Sequence, residues 1–352
     1  MTGCRGVAWI LPALLIAFAA LPAAAQEPED DPPARNPINE ESTWWRKANV
    51  GYGPFRETSL SVFSTCRMNL TPRFPSSLPA RTFEARLESG WGKNNTLGDL
   101  WDIDFEVVAS TVAFTWSLTD EARIELEVAS GERTGGGLDA LILGFHDTFG
   151  LPFGDRNRHS RNEFVFDVNA PDAGPPVHLD RTNDNPFVEA ALVTFQHVLT
   201  YGDDTFPAVS WAFTLRTPLS DGDLEEASPA DLGASVAVSK EIAWFQAYAG
   251  AAATWYGRDD FYGIKFRTWQ WAGQAALEWR ALPGFSVIAQ WVVTAGAVDG
   301  LRDFSKPSHE VGGGFKWEVM DGILFEASLI ENIINFENSP DLGFHFGVTM
   351  RW

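Results

Sequence analysis

The last twelve residues, Asp341 to Trp352, alternate without exception. Leu342, Phe344, Phe346, Val348, Met350 and Trp352 share one face, and Gly343, His345, Gly347, Thr349 and Arg351 share the other. A period of two is the period of a strand. The apolar face runs to the final residue, where a strand end in water would fray. One apolar and one small-polar face, over the roughly 9–11 residues of a tilted bilayer crossing, predicts a strand of a transmembrane β-barrel.

The pattern recurs along the chain. Residues 82–91 set Phe83, Ala85, Leu87 and Trp91 against Glu84, Arg86 and Glu88. Residues 100–109 set Trp101, Ile103, Phe105 and Val107 against Asp102, Asp104 and Glu106, and continue through Val112, Phe114 and Trp116. Residues 122–130 set Ile124, Leu126 and Val128 against Arg123, Glu125 and Glu127. Taking the charged rows as inward gives a lumen narrowed by cross-strand ion pairs. Further strands are expected over 187–199, around Val209–Leu215, and over 232–238, 243–255, 267–279, 285–295, 309–319 and 323–333.

The connections sharpen this. Counting back from Trp352, linkers alternate between longer (335–340, 296–308, 257–266, 220–231) and short (320–322, 282–284, 239–241, 202–205), as in barrels with long loops outside and tight periplasmic turns. The fold class predicted is all-β: an antiparallel transmembrane β-barrel of 12 strands, or 14 if a hairpin over 163–181 also crosses. Tryptophans support it. Trp91, Trp101, Trp255, Trp269 and Trp271 fall near outer strand ends, and Trp116, Trp279, Trp317 and Trp352 near inner ends, as aromatic girdles do.

Residues 1–25 read as a cleaved signal peptide: Arg5, then an apolar stretch over 7–21, then Ala23-Ala24-Ala25. Removing Arg5 leaves 25 basic against 47 acidic residues, a net charge of −22. That excludes nucleic acid as a natural partner, since phosphate binding needs a basic surface. Without the leader's Cys4, Cys66 stands alone and no intrachain disulfide forms.

Two stretches depart from the alternation. Residues 26–80 are irregular, with an acidic Pro-rich start and Pro72, Pro75 and Pro79 before the first strand. They read as a periplasmic tail or a plug in the lumen, ahead of a barrel domain over 81–352. Residues 135–152 carry Leu138, Leu141, Ile142, Phe145 and Phe149 at helical spacing, with Asp139, His146 and Asp147 off that face. Gly150 and Pro152 end the helix. The segment reads as a lid on the extracellular side whose apolar face packs on the barrel wall or the lipid-side rim, or as a gate whose apolar face lines an entry site for a hydrophobic small molecule.

The terminal strand resembles the signature on which bacterial outer-membrane proteins end, which implies recognition by the barrel-assembly machinery through Phe344, Phe346, Val348, Met350 and Trp352. Gly136-Gly-Leu-Asp139, then Phe145-His-Asp-Thr-Phe-Gly-Leu-Pro152 with Gly154 and Arg156, and Leu70-Thr-Pro-Arg73 further resemble an uncharacterised family of bacterial outer-membrane barrels, distantly similar in design to long-chain fatty-acid channels. Where that family often carries Gly-Leu-Gly-Asp, this chain has Asn183-Asp-Asn-Pro-Phe187. The resemblance implies an outer-membrane protein in contact with lipid and lipopolysaccharide, and brings no functional residues with it. The function expected is passive transport of a small, apolar solute. A structural or adhesin-like barrel is the second reading and a lipid-acting enzyme the third. Six histidines are scattered outside any hydrolase or metal motif, so no catalytic residue, metal ligand or cofactor is expected.

Overall fold

A computed structural model describes residues 52–76, 78–149, 159–179, 188–203, 205–219, 230–332, 334 and 336–352. Residues 1–51, with the expected signal peptide, lie outside these.

Twelve antiparallel strands close into a barrel: β1 (Phe83–Leu97), β2 (Trp101–Ser117), β3 (Ala122–Thr134), β6 (Val188–Thr200), β7 (Ala208–Pro218), β8 (Asp231–Ile242), β9 (Phe245–Trp255), β12 (Trp269–Leu282), β13 (Phe285–Thr294), β14 (Ser308–Met320), β15 (Ile323–Asn332) and β16 (Leu342–Arg351). Closure runs through β1 and β16, which pair from Glu84↔Arg351 to Lys93↔Leu342. Phe83 and Trp352 exchange both backbone hydrogen bonds at the end of the seam. Closure leaves no unpaired edge, which is what spanning a bilayer with strands demands.

The alternation sorts side chains as amphipathic strands must. Phe114, Trp116, Leu126, Phe213, Trp271, Trp279, Trp291, Trp317, Phe346 and Trp352 are exposed on the outer wall, while Glu84, Arg86, Glu125, Thr214, Gln274, Lys316, Glu326 and Thr349 are buried inward. No helix among the described residues is long and apolar enough to cross a membrane.

The hairpin over 163–181 is not a thirteenth and fourteenth barrel strand. Its strands β4 (Val165–Val168) and β5 (Val177–Leu179) are short. β4 pairs with the far end of β2, Trp101↔Val168 to Asp104↔Val165, beyond the point where β3 stops at Glu106↔Thr134. It therefore extends the sheet above the barrel. A ribbon of β10 (Asp260–Phe261) and β11 (Ile264–Lys265) projects from the β9–β12 loop.

β2 corrects the expected orientation of one row. Its register to β1 is unbroken over fifteen pairs. The outward parity that carries Phe114 and Trp116 therefore also carries Asp102, Asp104 and Glu106, and Trp101, Ile103, Phe105 and Val107 point inward. Apolar residues change face between the consecutive Val107 and Val108 with no bulge. At about 3.3 Å per residue, the 17 residues of β2 exceed a bilayer crossing. The upper part follows the opposite rule, apolar inside and polar outside. Trp101 is accordingly no girdle residue: it is buried, its ring 5.1 Å from that of Phe304.

Candidate functional site

The interior of the barrel is occupied by its own chain. Residue 52 lies at the barrel end that carries Trp352: Tyr52 donates to Glu318 (3.2 Å) and lies under the Arg351 guanidinium, 3.7 Å away. The chain climbs past Lys316, which donates to the Gly53 carbonyl, and past Gln274, which donates to that of Phe55 (3.0 Å). Glu57 accepts from Ser328 and from Gln290, and Ser59 donates to Glu310. A 3₁₀ turn at Ser64–Cys66 reverses the direction. The descent passes Arg73, paired with Glu125 at 3.0 Å and with Glu127. Gln196 and Ser210 donate to the Arg73 carbonyl, and Arg123 to the Ser76 carbonyl. Ser117 donates to the Leu78 carbonyl just before β1 begins. Segment 52–79 thus makes two passes, up and down.

The wall is shaped to receive it. Gly92, Gly233, Gly250 and Gly312 all face inward, and a Cβ on each would lie under 3.0 Å from Leu60, Leu70, Pro72 and Glu57, respectively. Glycine inside a strand weakens it and marks a close approach of another chain. Nothing in the alternation names what these glycines accommodate.

At the far end the apolar tip Leu60-Ser-Val-Phe63 enters a core formed by Ile103 and Phe105 of β2, Phe166 and Val168 of the hairpin, Phe266, Val298 and Phe304. Phe63 makes edge-on contacts with Phe166, Phe266 and Phe304 at 5.1–6.1 Å between centroids. Arg67 lies over the Tyr256 ring at 3.3 Å. This core explains why the upper β2 turns its apolar face inward. A cavity of about 100 Å³ remains beside the descending pass, lined by Arg56, Arg67, Arg73, Glu88, Thr111, Glu127 and Leu192 among others. It has room for several waters at roughly 10–15 Å³ each.

The expected helix forms, α1 (Asp139–Phe149), against the barrel wall. Leu138 and Ile142 pack with Leu342 and against Leu329 and Phe344. Those three lie on the outward parity of β15 and β16, so the helix braces the outer wall. Its first turn covers the outward charges of β1 and β2. Lys93 reaches Asp104 at 2.6 Å and Asp139 at 3.2 Å, and is wholly buried. Glu106 accepts from the Trp91 indole (2.9 Å) and from the Leu138 amide. His159 adds a contact to Asp102 at 2.6 Å. Gly136 has φ +67°, and its missing Cβ is the space Glu106 occupies. Leu141, expected on the covered face, is 52% exposed, because a helix resting by Leu138 and Ile142 turns it aside. The side chains of Phe145, His146 and Phe149 lie outside those described. Of the terminal-strand residues, Phe344, Phe346, Val348, Met350 and Trp352 line the outer wall, and His345 points inward to Glu326 at 3.0 Å.

Twelve closed strands with an apolar outside and a charged inside define a channel-like β-barrel of the outer-membrane type. The chain belongs to the family described as protein of unknown function DUF3187, matched over residues 42–352. Among curated proteins, none matches the sequence. Among solved structures, an outer-membrane channel from Pseudomonas putida F1 is similar at 12% identity and a TM-score of 0.50, over 78% of this chain and 97% of that one. The NanC porin is similar at 9% identity and a TM-score of 0.44, over 76% and 98%. The toluene transporter TbuX of Ralstonia pickettii is similar at 6% identity and a TM-score of 0.39, over 84% and 98%. Such likenesses concern the fold, and the neighbours are bacterial outer-membrane proteins.

Proposed function

We propose that the protein is a passive outer-membrane channel for a small polar solute, held closed by its own segment 52–79. The observation that carries this reading is the two-pass course of that segment through a closed barrel, anchored by polar groups rather than by a continuous apolar core. Most of its bonds below the mouth are to Glu, Gln, Ser and Arg side chains of the wall. Groups of this kind exchange for water when a segment shifts, whereas the apolar tip at Phe63 holds the closed state. The Pseudomonas channel with the same fold is a second support.

The wall chemistry favours a polar cargo over the apolar one expected from sequence. Burying an apolar molecule among Arg73, Glu88, Glu127 and Thr111 would strip those groups of hydrogen bonds without replacement. Helix α1 meets the outer wall through Leu138 and Ile142, which supports a bracing role rather than a gate for the lumen. Liposome swelling tests the solute class. Vesicles carrying protein loosened by Gly250→Leu and Arg73→Ala should admit small sugars and amino acids in order of size. Swelling that is faster for apolar than for polar solutes of equal size would contradict the reading. No swelling in vesicles with correctly folded, loosened protein would favour a structural barrel.

A further inference from the structure

Three inward side chains converge at the seam where the first and last strands pair. Glu88 of β1, Glu326 of β15 and His345 of β16 each present a ligand atom, and these atoms lie within 4.8 Å of one another. The register brings them together: Glu88 and Glu326 both stand opposite Gly347, and His345 stands opposite Gly90 and Ser328. Glu326 leans into the gap at Gly347, where a Cβ would fall 2.6 Å from its Cγ. Glu326 and His345 are both buried, with His345 Nε2 3.0 Å from Glu326 Oε1.

The neighbouring cations are each shared among several groups. Glu57, Glu84, Glu88 and Glu326 lie among Arg56, Arg73, Arg86, Lys316 and Arg351. Arg86 divides itself between Glu84 and Glu88, both at 3.1 Å, and Arg351 also reaches Glu84, at 2.7 Å. Lys316 donates to the Gly53 carbonyl. A buried carboxylate is stable when paired or when it coordinates a cation.

We propose that Glu88, Glu326 and His345 bind a divalent transition metal, of which Zn²⁺ fits the donor set best, and that the ion ties β1 to β15 and β16 across the seam. One imidazole with two carboxylates is a nitrogen and oxygen set suited to Zn²⁺, with bonds of about 2.0–2.2 Å. Side-chain rotation suffices to bring atoms within 4.8 Å onto one ion. Imidazole discriminates against Ca²⁺ and Mg²⁺, which take oxygen ligands. The fourth position falls to water or to Glu57, whose partner Ser328 is paired with His345 across the strands. The proposal is independent of the channel reading, since a staple on the seam serves any barrel.

The test uses the full chain, free of any affinity tag, folded in detergent and incubated with Zn²⁺ in a buffer without chelators. After desalting, metal analysis should give one Zn²⁺ per chain, and calorimetry a single saturable site. His345→Gln and Glu326→Gln should each weaken that site at least tenfold while heat-modifiable mobility on gels shows the barrel intact. Glutamine keeps size and hydrogen bonding, and Glu88→Gln, at the edge of the site, gives the same readout should the other two fail to fold. Wild-type protein that retains no Zn²⁺, or folded variants that retain it undiminished, would overturn the proposal.

Discussion

Pro72 occupies the space that Gly250 leaves in the inner wall: a Cβ at Gly250 would lie 2.6 Å from the proline Cβ and 2.9 Å from its Cγ. A proline ring cannot swing aside as a leucine side chain can. Gly250→Leu should therefore displace the descending pass of segment 52–79, at a cost of about 1–3 kcal/mol for overpacking. Limited proteolysis checks it. The variant should be cut within 52–79 faster than wild type, with strands β8, β9 and β12 still protected. Gly233→Ala should act more weakly, since what it meets first is the far end of the Leu70 side chain, at 2.5 Å.

Lys93 with Asp104 and Asp139 fastens α1 to the outer wall. Lys93→Met keeps the stem and removes the charge, taking the ammonium from the buried Asp104 and the half-buried Asp139. Breaking a buried pair in this way costs about 3–5 kcal/mol. Hydrogen exchange should rise first over 139–142, and thermal unfolding in detergent should begin at a lower temperature. Unchanged protection of the helix would show that the ion pairs do not hold it.

The covered contact of the helix and its exposed face should respond differently to truncation. Leu342 is fully buried beneath Leu138 and Ile142, so Leu342→Ala should lose about 2–5 kcal/mol. Leu141 is exposed, so Leu141→Ala should stay within about 0.5 kcal/mol of wild type. Urea unfolding in detergent compares them, and equal losses would contradict the observed packing.

Burial pushes the Glu57 carboxyl up, opposed by the charge of His345 and by bonds from Ser328 and Gln290. A carboxyl whose value in the folded state is raised favours folding most below its ordinary range, and that contribution disappears as pH rises through the raised value. Segment 52–79 should accordingly be held more tightly in acid. Protease protection of the segment should fall as pH rises from about 4, and Glu57→Gln should flatten the dependence. A dependence of the opposite sign would contradict the burial of this group.

Much of the barrel was legible in the chain because a strand's two faces meet different solvents. Phe346, Trp317 and Trp279 alternate with His345, Lys316 and Glu278, and the wall follows from that. The same rule misled over Trp101–Val107. Alternation shows that two faces differ, not which one faces in, and above the bilayer the apolar face belongs inside. The hairpin's Phe166 and Val168 carry the same ambiguity, resolved by pairing with β2 and by contact with Phe63. The course of segment 52–79 was not legible at all, since it has no period and its partners are spread around all twelve barrel strands. Its signature was indirect: inward glycines at 92, 233, 250 and 312, each an absence that acquires meaning when the occupant is known. For α1, spacing indicated the helix and a wall or rim to rest on but not which strands, because Leu342 and Phe344 are as apolar as the outward residues of any other strand.

Conductance across a planar bilayer tests most directly whether segment 52–79 closes the lumen. Intact protein should insert with little or no steady current. The same protein carrying Gly250→Leu, or lacking residues 26–80 and verified as a folded barrel by its heat-modifiable mobility, should give discrete and reproducible current steps. Intact protein that conducts as freely as these variants would contradict the account, as would folded variants that remain silent.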